Sequence, residues 1–312
     1  VGHSSVEFVF SLLSSQSPER EISLVFKLFL CNSVFIVDVL NFRQLHTTTN
    51  LLLLSLAVAD FLVGFLQMPV LLLHNQGCWI LGDLICAVHY FLGFLFVSVS
   101  VGNIVLISVD RYIAICDPMF YTTKLTLEKV QLCICLCWIF SAVLLVKENL
   151  EQPGRYISCS GECVVVSNYI AGLADLVLTF IGPVIVIIVL YMRVFVVAVS
   201  QARAMRSHIV AVTLQGSMTV TVQKSELKAA RALGVVVAAF LICLCPYFFV
   251  TLTAQESLLS ASAAAFVICL FYFNSCLNPL IYAFFYPWFK KCLKLIVTLQ
   301  ILQRDSCEAN IL

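Results

Sequence analysis

The sequence predicts an all-α membrane protein: a bundle of seven transmembrane helices followed by a short amphipathic eighth helix. Composition is the first reason. Of 312 residues, 62% are hydrophobic and 11% charged, against roughly 45–50% and about 25% in soluble domains. The second is the length of the apolar runs, near 22–42, 49–74, 83–115, 129–148, 167–198, 227–253 and 262–285. Each reaches the roughly 20 residues that cross a bilayer as a helix, and none alternates as barrel strands do. The third is charge. With the N-terminus outside, fourteen Lys and Arg residues fall on the inner side, and only Arg20, Lys147 and Arg155 fall outside. Inner loops carry that excess in multi-pass proteins, so an extracellular N-terminus is expected. The same asymmetry explains the basic stretches without a nucleic-acid partner.

Residues 1–21 read as the outer N-terminal segment, 22–285 as the membrane domain, and 286–312 as the amphipathic helix and inner tail. The chain begins at Val1 with no evident cleavable signal peptide and no Asn-X-Ser/Thr sequon. The outer segment is therefore expected to be incomplete or unglycosylated, with the first span inserting directly. Span one is the weakest, because Lys27 and Asp38 interrupt it. Span two carries Asp60, and span three carries Ser100 and ends in Asp110, Arg111 and Tyr112. In span four, Cys133, Cys135 and Cys137 have no His nearby and diverge around a helix, so they read as small apolar residues rather than metal ligands. The outer loop Lys147–Ser167 holds Cys159 and Cys163, which with Cys86 lie where disulfides persist.

Span five holds Asp175, Thr179, Pro183 and Tyr191. A polar inner loop near 200–225 leads to span six, which starts at Glu226 and contains Pro246, Tyr247 and Phe248. Span seven contains Tyr272, Asn274, Ser275, Asn278, Pro279 and Tyr282. After it, Tyr286–Val297 sets Trp288, Phe289, Leu293 and Ile296 opposite Lys290, Lys291 and Lys294. That pattern suits a helix lying on inner-leaflet lipid, with Cys292 a candidate for palmitoylation.

Polar groups inside a bilayer are costly, so each needs a partner or a role. Asp60, Ser100, Asn274, Ser275 and Asn278 stand at comparable depth. Oxygen donors suit a hard cation such as sodium, and they suit equally a hydrated polar network with no ion. Arg111 can pair with Asp110 or with Glu226, which makes a switch. Pro183, Pro246 and Pro279 each remove a backbone hydrogen bond and kink a span, as a moving bundle requires. Without a nucleophile–base pair, zinc site or phosphate loop, no enzyme is implied. Seven spans without internal repeats count against a transporter.

Taken in order, Asn32, Leu56–Asp60, Trp79 with Cys86, Asp110–Tyr112, Trp138, Pro183 with Tyr191, Phe240 with Pro246, and Asn278–Tyr282 resemble the rhodopsin-like G-protein-coupled receptors over nearly the whole chain. Within that group, FRQLHT, DRYIAICDP and FNSCLNPLIYAFFYPWFKK resemble the trace amine-associated receptors. The resemblance implies a plasma-membrane receptor for small amines, olfactory in many members. It also implies coupling to a stimulatory heterotrimeric G protein, with arrestin as a further partner. It implies a Cys86–Cys163 disulfide and an Arg111–Glu226 lock on the inactive state. Tyr191 and Tyr282 would meet Arg111 when span six swings outward. Asp60, Ser100, Asn274 and Ser275 match the family's sodium site, with Asn278 beside them. An allosteric sodium ion is the only cofactor implied.

The chain departs from that pattern at several points. Aminergic receptors carry an ammonium-binding Asp in span three, eighteen residues before the Arg of Asp-Arg-Tyr; here the position is Gly93. Leu244 stands where a span-six Trp is usual. The N-terminal Cys expected to partner Cys159 is absent from the first thirty residues. With the short first span, this leaves a non-signalling relic as the alternative to a working receptor. A fish-type subgroup resembles the chain in placing its amine-binding Asp in span five. Asp175 lies eight residues before Pro183, about 12 Å along a helix. It is the expected ammonium partner, with Thr179, Phe94, Tyr247, Phe248 and Tyr272 lining the pocket. One central acid suits a monoamine better than a diamine. The structural alternative is that Asp175 caps span five, or pairs with Thr179 or His89.

Overall fold

The computed structural model describes residues 32–70, 79, 81–151, 156–159, 162–165, 173–174, 176–209, 234–235, 237–250, 263, 266–268, 270–275, 277–278 and 289. Their helices follow the predicted spans in order. They run Asn32–Asn41, Thr48–Val70, Gly82–Cys116, Leu127–Glu151, Gly182–Ile209, Val237–Val250 and Phe266–Ser275. A short helix, Pro118–Lys124, joins spans three and four.

Local chemistry sets the helix starts. Thr47 is extended (φ −103°, ψ 160°), and its side chain accepts from Asn50 N at 3.2 Å, satisfying an orphan donor at a worth of about 1 kcal/mol. Asp117 caps the short helix by accepting from Phe120 N at 3.2 Å, with Pro118 at the first helical position, where its missing N–H costs nothing. Thr126 accepts from Lys129 N at 3.4 Å at the head of span four. Span three opens at Gly82, whose φ of 79° is a left-handed conformation that glycine adopts without a steric penalty.

Two prolines shape the outer halves of their helices. A proline has no N–H to donate and crowds the carbonyl four residues back, and a π turn, bonding five residues back, absorbs the mismatch. In span two the π turn Val63–Gln67 closes with Met68 N–H donating to Val63 O, and Pro69 follows at once. In span five the π turn Val177–Ile181 closes with Gly182 N–H donating to Val177 O, and Pro183 follows. Each turn inserts one residue and rotates the helix beyond it, which brings Gln67 and Phe180 inside the bundle.

Phe35, Leu56, Ile104, Ile187, Phe240 and Phe271 contribute spans one, two, three, five, six and seven to one continuous core. Opposite faces stay apolar and exposed, as at Leu132, Leu136, Ile139 and Phe140 of span four and Ile185, Ile188, Val189 and Met192 of span five. In a bilayer those faces meet acyl chains, which are as apolar as leucine. Trp138 Nε1 donates to Ser55 Oγ at 3.1 Å, and Ser98 Oγ donates to Ser141 Oγ at 3.0 Å, fastening span four to spans two and three. Cys137 lies against Gly102, where a Cβ would collide with its sulfur, while Cys133 and Cys135 are exposed.

Three expectations are corrected, and one element was not foreseen. The predicted inner loop from residue 200 is helical through Ile209, because span five continues past the apolar run. The outer loop holds the unforeseen element, a hairpin in which Tyr156–Cys159 (β1) pairs antiparallel with Glu162–Val165 (β2), Ser158 opposite Cys163. The bundle is thus all-α apart from this hairpin. Asp38, read as an interruption of span one, is fully buried, so it faces the bundle and leaves the lipid face apolar. Phe289, assigned to the lipid-facing side of the last helix, is 1% exposed and lies 5.6 Å from the Phe35 ring. It anchors the chain to span one instead of to the leaflet. The rest of the amphipathic segment, Cys292 included, lies outside the described residues.

Candidate functional site

The polar side chains form three storeys. At the outer end, the Cys86–Cys163 disulfide joins the head of span three to β2, with Cα atoms 5.8 Å apart. Trp79 packs on it, its Nε1 donating to Gly82 O at 2.9 Å, and Tyr90 Oη donates to Cys163 O at 3.2 Å. From Tyr90, ring contacts lead inward along span three to Phe94 at 6.5 Å.

Below this cap is an aromatic wall. Phe180 stacks on Phe248 at 4.0 Å, Tyr247 lies 4.4 Å from Phe271, and Phe271 meets Tyr272 edge-on at 5.4 Å. Four of the predicted lining residues, Phe94, Tyr247, Phe248 and Tyr272, are half-buried, as is Thr179. Ring centroids link Tyr247, Phe248 and Tyr272 into one group through Phe271, whereas Phe94 belongs to the Tyr90 side. Phe180 and Phe271 were not anticipated. Their neighbours Thr179 and Tyr272 were, and a polar residue beside an aromatic within an apolar span is the available signal. Asp175 lies outside the described residues.

Beside Tyr272 of that group stands Gly93. A Cβ there would lie 3.3 Å from both Gln67 Oε1 and Tyr272 Oη. The volume an acidic side chain would need is therefore shared by an amide oxygen from span two and a phenol from span seven. Gln67 is 1% exposed. In the sequence it does not stand out, because an amide carries no formal charge, although one inside an apolar run is as anomalous as Asp60.

In the middle storey, Asn278 Nδ2 donates to Asp60 Oδ2 at 2.7 Å, and Ser275 is a second partner of the same carboxyl. Asn32 Nδ2 donates to Ser275 O at 3.1 Å, drawing span one to span seven. Asp60 Oδ1, Ser100 Oγ and Asn274 Oδ1 are buried without a hydrogen-bond partner among the described residues. Buried oxygens in that state carry a desolvation cost that a bound cation would relieve. The donors fit sodium, a hard ion that takes oxygen ligands. No group of three His, Cys, Asp or Glu side chains that could hold a metal occurs among the described residues.

At the inner end, Arg111 is folded against its neighbour. Its Nε and Nη2 donate to Asp110 Oδ2 at 3.0 and 2.7 Å. Thr49 Oγ1 donates to that same Oδ2 at 2.9 Å while accepting from Arg111 Nη2. Tyr121 Oη accepts from Arg111 Nη2 at 3.4 Å and bonds Thr48 Oγ1 at 2.8 Å. Asp110 and Arg111 are 3% and 7% exposed, so the ion pair is shielded from water, where its Coulomb energy is larger. Thr49 and Tyr121 were not foreseen as its partners. Tyr112 packs with Ile115 and Val194, and Tyr191 lies against Gly234. Glu226 and Tyr282 lie outside the described residues.

A disulfide-capped outer end above an aromatic wall, a polar waist and a paired arginine at the base are the parts of a membrane receptor. The profile of the 7 transmembrane receptor (rhodopsin family) matches residues 31–282. Trace amine-associated receptor 13c of Danio rerio is 37% identical over 298 residues, covering 90% of this chain and 85% of its own length. Trace amine-associated receptor 8a of Rattus norvegicus is 39% identical over 294 residues, with the same coverage. Trace amine-associated receptor 1 of Mus musculus is 34% identical over 292 residues, covering 90% of this chain and 88% of its own. With matches of this extent, the chain belongs to the trace amine-associated receptors, within the rhodopsin family of seven-transmembrane receptors.

Proposed function

We propose that this receptor binds the ammonium group of a small amine through Asp175 and passes the signal to a stimulatory heterotrimeric G protein, raising cAMP. The observation that carries this reading is Gly93. The span-three position that holds an acid in the wider aminergic group has no side chain here, and neutral oxygens crowd it. Asp175 is the acid left on the outer half of span five. Thr179, four residues on, is half-buried, and Phe180 stacks on Phe248. A carboxylate about 4 Å from an ammonium contributes about 4 kcal/mol at an effective dielectric near 20. An aromatic face adds about 0.5–2 kcal/mol of cation–π attraction.

Signal transfer then needs two arrangements that the ligand tells apart. In the one described, Arg111 is held by Asp110, Thr49 and Tyr121. In the other, span six moves outward, Tyr191 and Tyr282 turn to Arg111, and the inner face opens to the G protein and afterwards to arrestin. Asp60, Ser100 and Asn274 would hold a sodium ion, whose charge would favour the first arrangement; their oxygens, unpartnered among the described residues, support this. The N-terminus is extracellular in the plasma membrane, and the setting is olfactory.

The test is Asp175→Ala in cells, with surface expression measured alongside cAMP. Loss of the amine response at normal surface level is expected. A response unchanged by the substitution removes Asp175 from the reading, and a wild-type chain that reaches the surface yet never signals makes it a relic.

A further inference from the structure

Asp175 is the proposed partner for one end of a ligand, and the bare backbone at Gly93 faces a different chemistry. Gln67 reaches it from the π turn ahead of Pro69, and Tyr272 reaches it from span seven. Gln67 is 1% exposed, and its Oε1 has no hydrogen-bond partner among the described residues. An amide oxygen buried in that state is expensive, because its water has been removed and nothing replaces it. Gly93 presents only backbone beneath both oxygens, each 3.3 Å from where its Cβ would stand. Tyr90 and Phe94, on the same helix, supply an apolar edge.

We infer that Gln67 Oε1 and Tyr272 Oη over Gly93 form a second, uncharged polar subsite that accepts a hydrogen bond from a neutral donor at the far end of the ligand. This rests on the reading in which Asp175 holds the ammonium. The ligand class it selects is an amine carrying a remote hydroxyl, an amino alcohol. A hydroxyl donates to Gln67 Oε1 and accepts from the Tyr272 phenol, so both ends of its dipole are used. A second ammonium meets no carboxylate there. It would pay the desolvation of a buried charge against two neutral oxygens. A plain alkylamine leaves Gln67 as it is.

The experiment compares straight-chain primary amines, ω-amino alcohols and α,ω-diamines of equal chain length, run across a series of lengths on the full chain. The readouts are cAMP and the thermal unfolding of purified receptor. At the best length the amino alcohol is expected to be about tenfold more potent than the alkylamine, equivalent to about 1.4 kcal/mol, and the diamine no better than the alkylamine. In Gln67→Leu the ratio of amino alcohol to alkylamine potency should fall to about one. Tyr272→Phe, which keeps the ring, should lower it in part and serves if the first variant fails to reach the surface. Equal potencies in the wild type, a ratio that survives both variants, or a series in which nothing signals or shifts unfolding would each overturn the subsite.

Asp175→Ala separates the two readings. If it abolishes all responses while the wild-type ratio is already one, the subsite falls and the ammonium reading stands. If it changes nothing while Gln67→Leu still collapses the ratio, the ammonium reading falls and the subsite stands.

Discussion

The hydroxyl of Tyr191 occupies the space that a side chain on Gly234 would fill. Span five and span six therefore touch through a phenol resting on bare backbone, and the tyrosine is held within the Gly182–Ile209 helix by that fit. Gly234→Ala removes the niche. Either Tyr191 turns away or span six moves out, and both changes lead toward the signalling arrangement. Basal cAMP, normalised to surface expression, is expected to rise several-fold. A basal level at or below that of the wild type would mean the niche does not restrain Tyr191.

Thr49 joins the Asp110–Arg111 pair from the facing helix, donating to one residue and accepting from the other. Thr49→Val keeps the shape and removes both bonds. Bonds to charged groups contribute about 1.5–3 kcal/mol, so the unfolding temperature of the purified receptor should drop while basal signalling increases. A melt identical to that of the wild type would show the contact to be incidental.

At the waist, the proposed sodium site predicts that sodium weakens agonist potency, by favouring the arrangement in which Asp60 would hold it. Replacing NaCl by KCl at constant ionic strength is expected to increase potency, and Asp60→Asn should abolish the difference. An ion effect that persists in Asp60→Asn would place the cation elsewhere.

The Cys86–Cys163 bond closes a separation of 77 residues. A loop of that size is worth about 4 kcal/mol in the chain-entropy account, and less here because the intervening spans are already confined by the membrane. Cys163→Ser should cut surface expression sharply and lower thermal stability. Normal levels of both would mean the hairpin is held by packing around Trp79 alone.

Much of this could be read from the chain. Continuous apolar runs report on spans, because a bilayer demands both length and apolarity, and Lys and Arg report on side, because charge is sorted during insertion. Asp60, Arg111 and Cys86 were visible as candidates because each is chemically out of place in its setting. Contacts of neutral residues were not. Thr49, Tyr121, Phe180 and Phe271 look ordinary in sequence, and they acquire partners only when helices remote in the chain are brought together.

Gln67 and Phe289 mark the boundary most clearly. The sequence by itself determined the class, the number and order of the spans and the missing acid at Gly93, since each follows from composition or from one position. Only the tertiary structure decided that Gln67 fills the place of that acid and that Phe289 anchors to Phe35 rather than to lipid. Which face a side chain takes depends on helix rotation. A π turn ahead of one proline changes that rotation, and packing against other spans selects it.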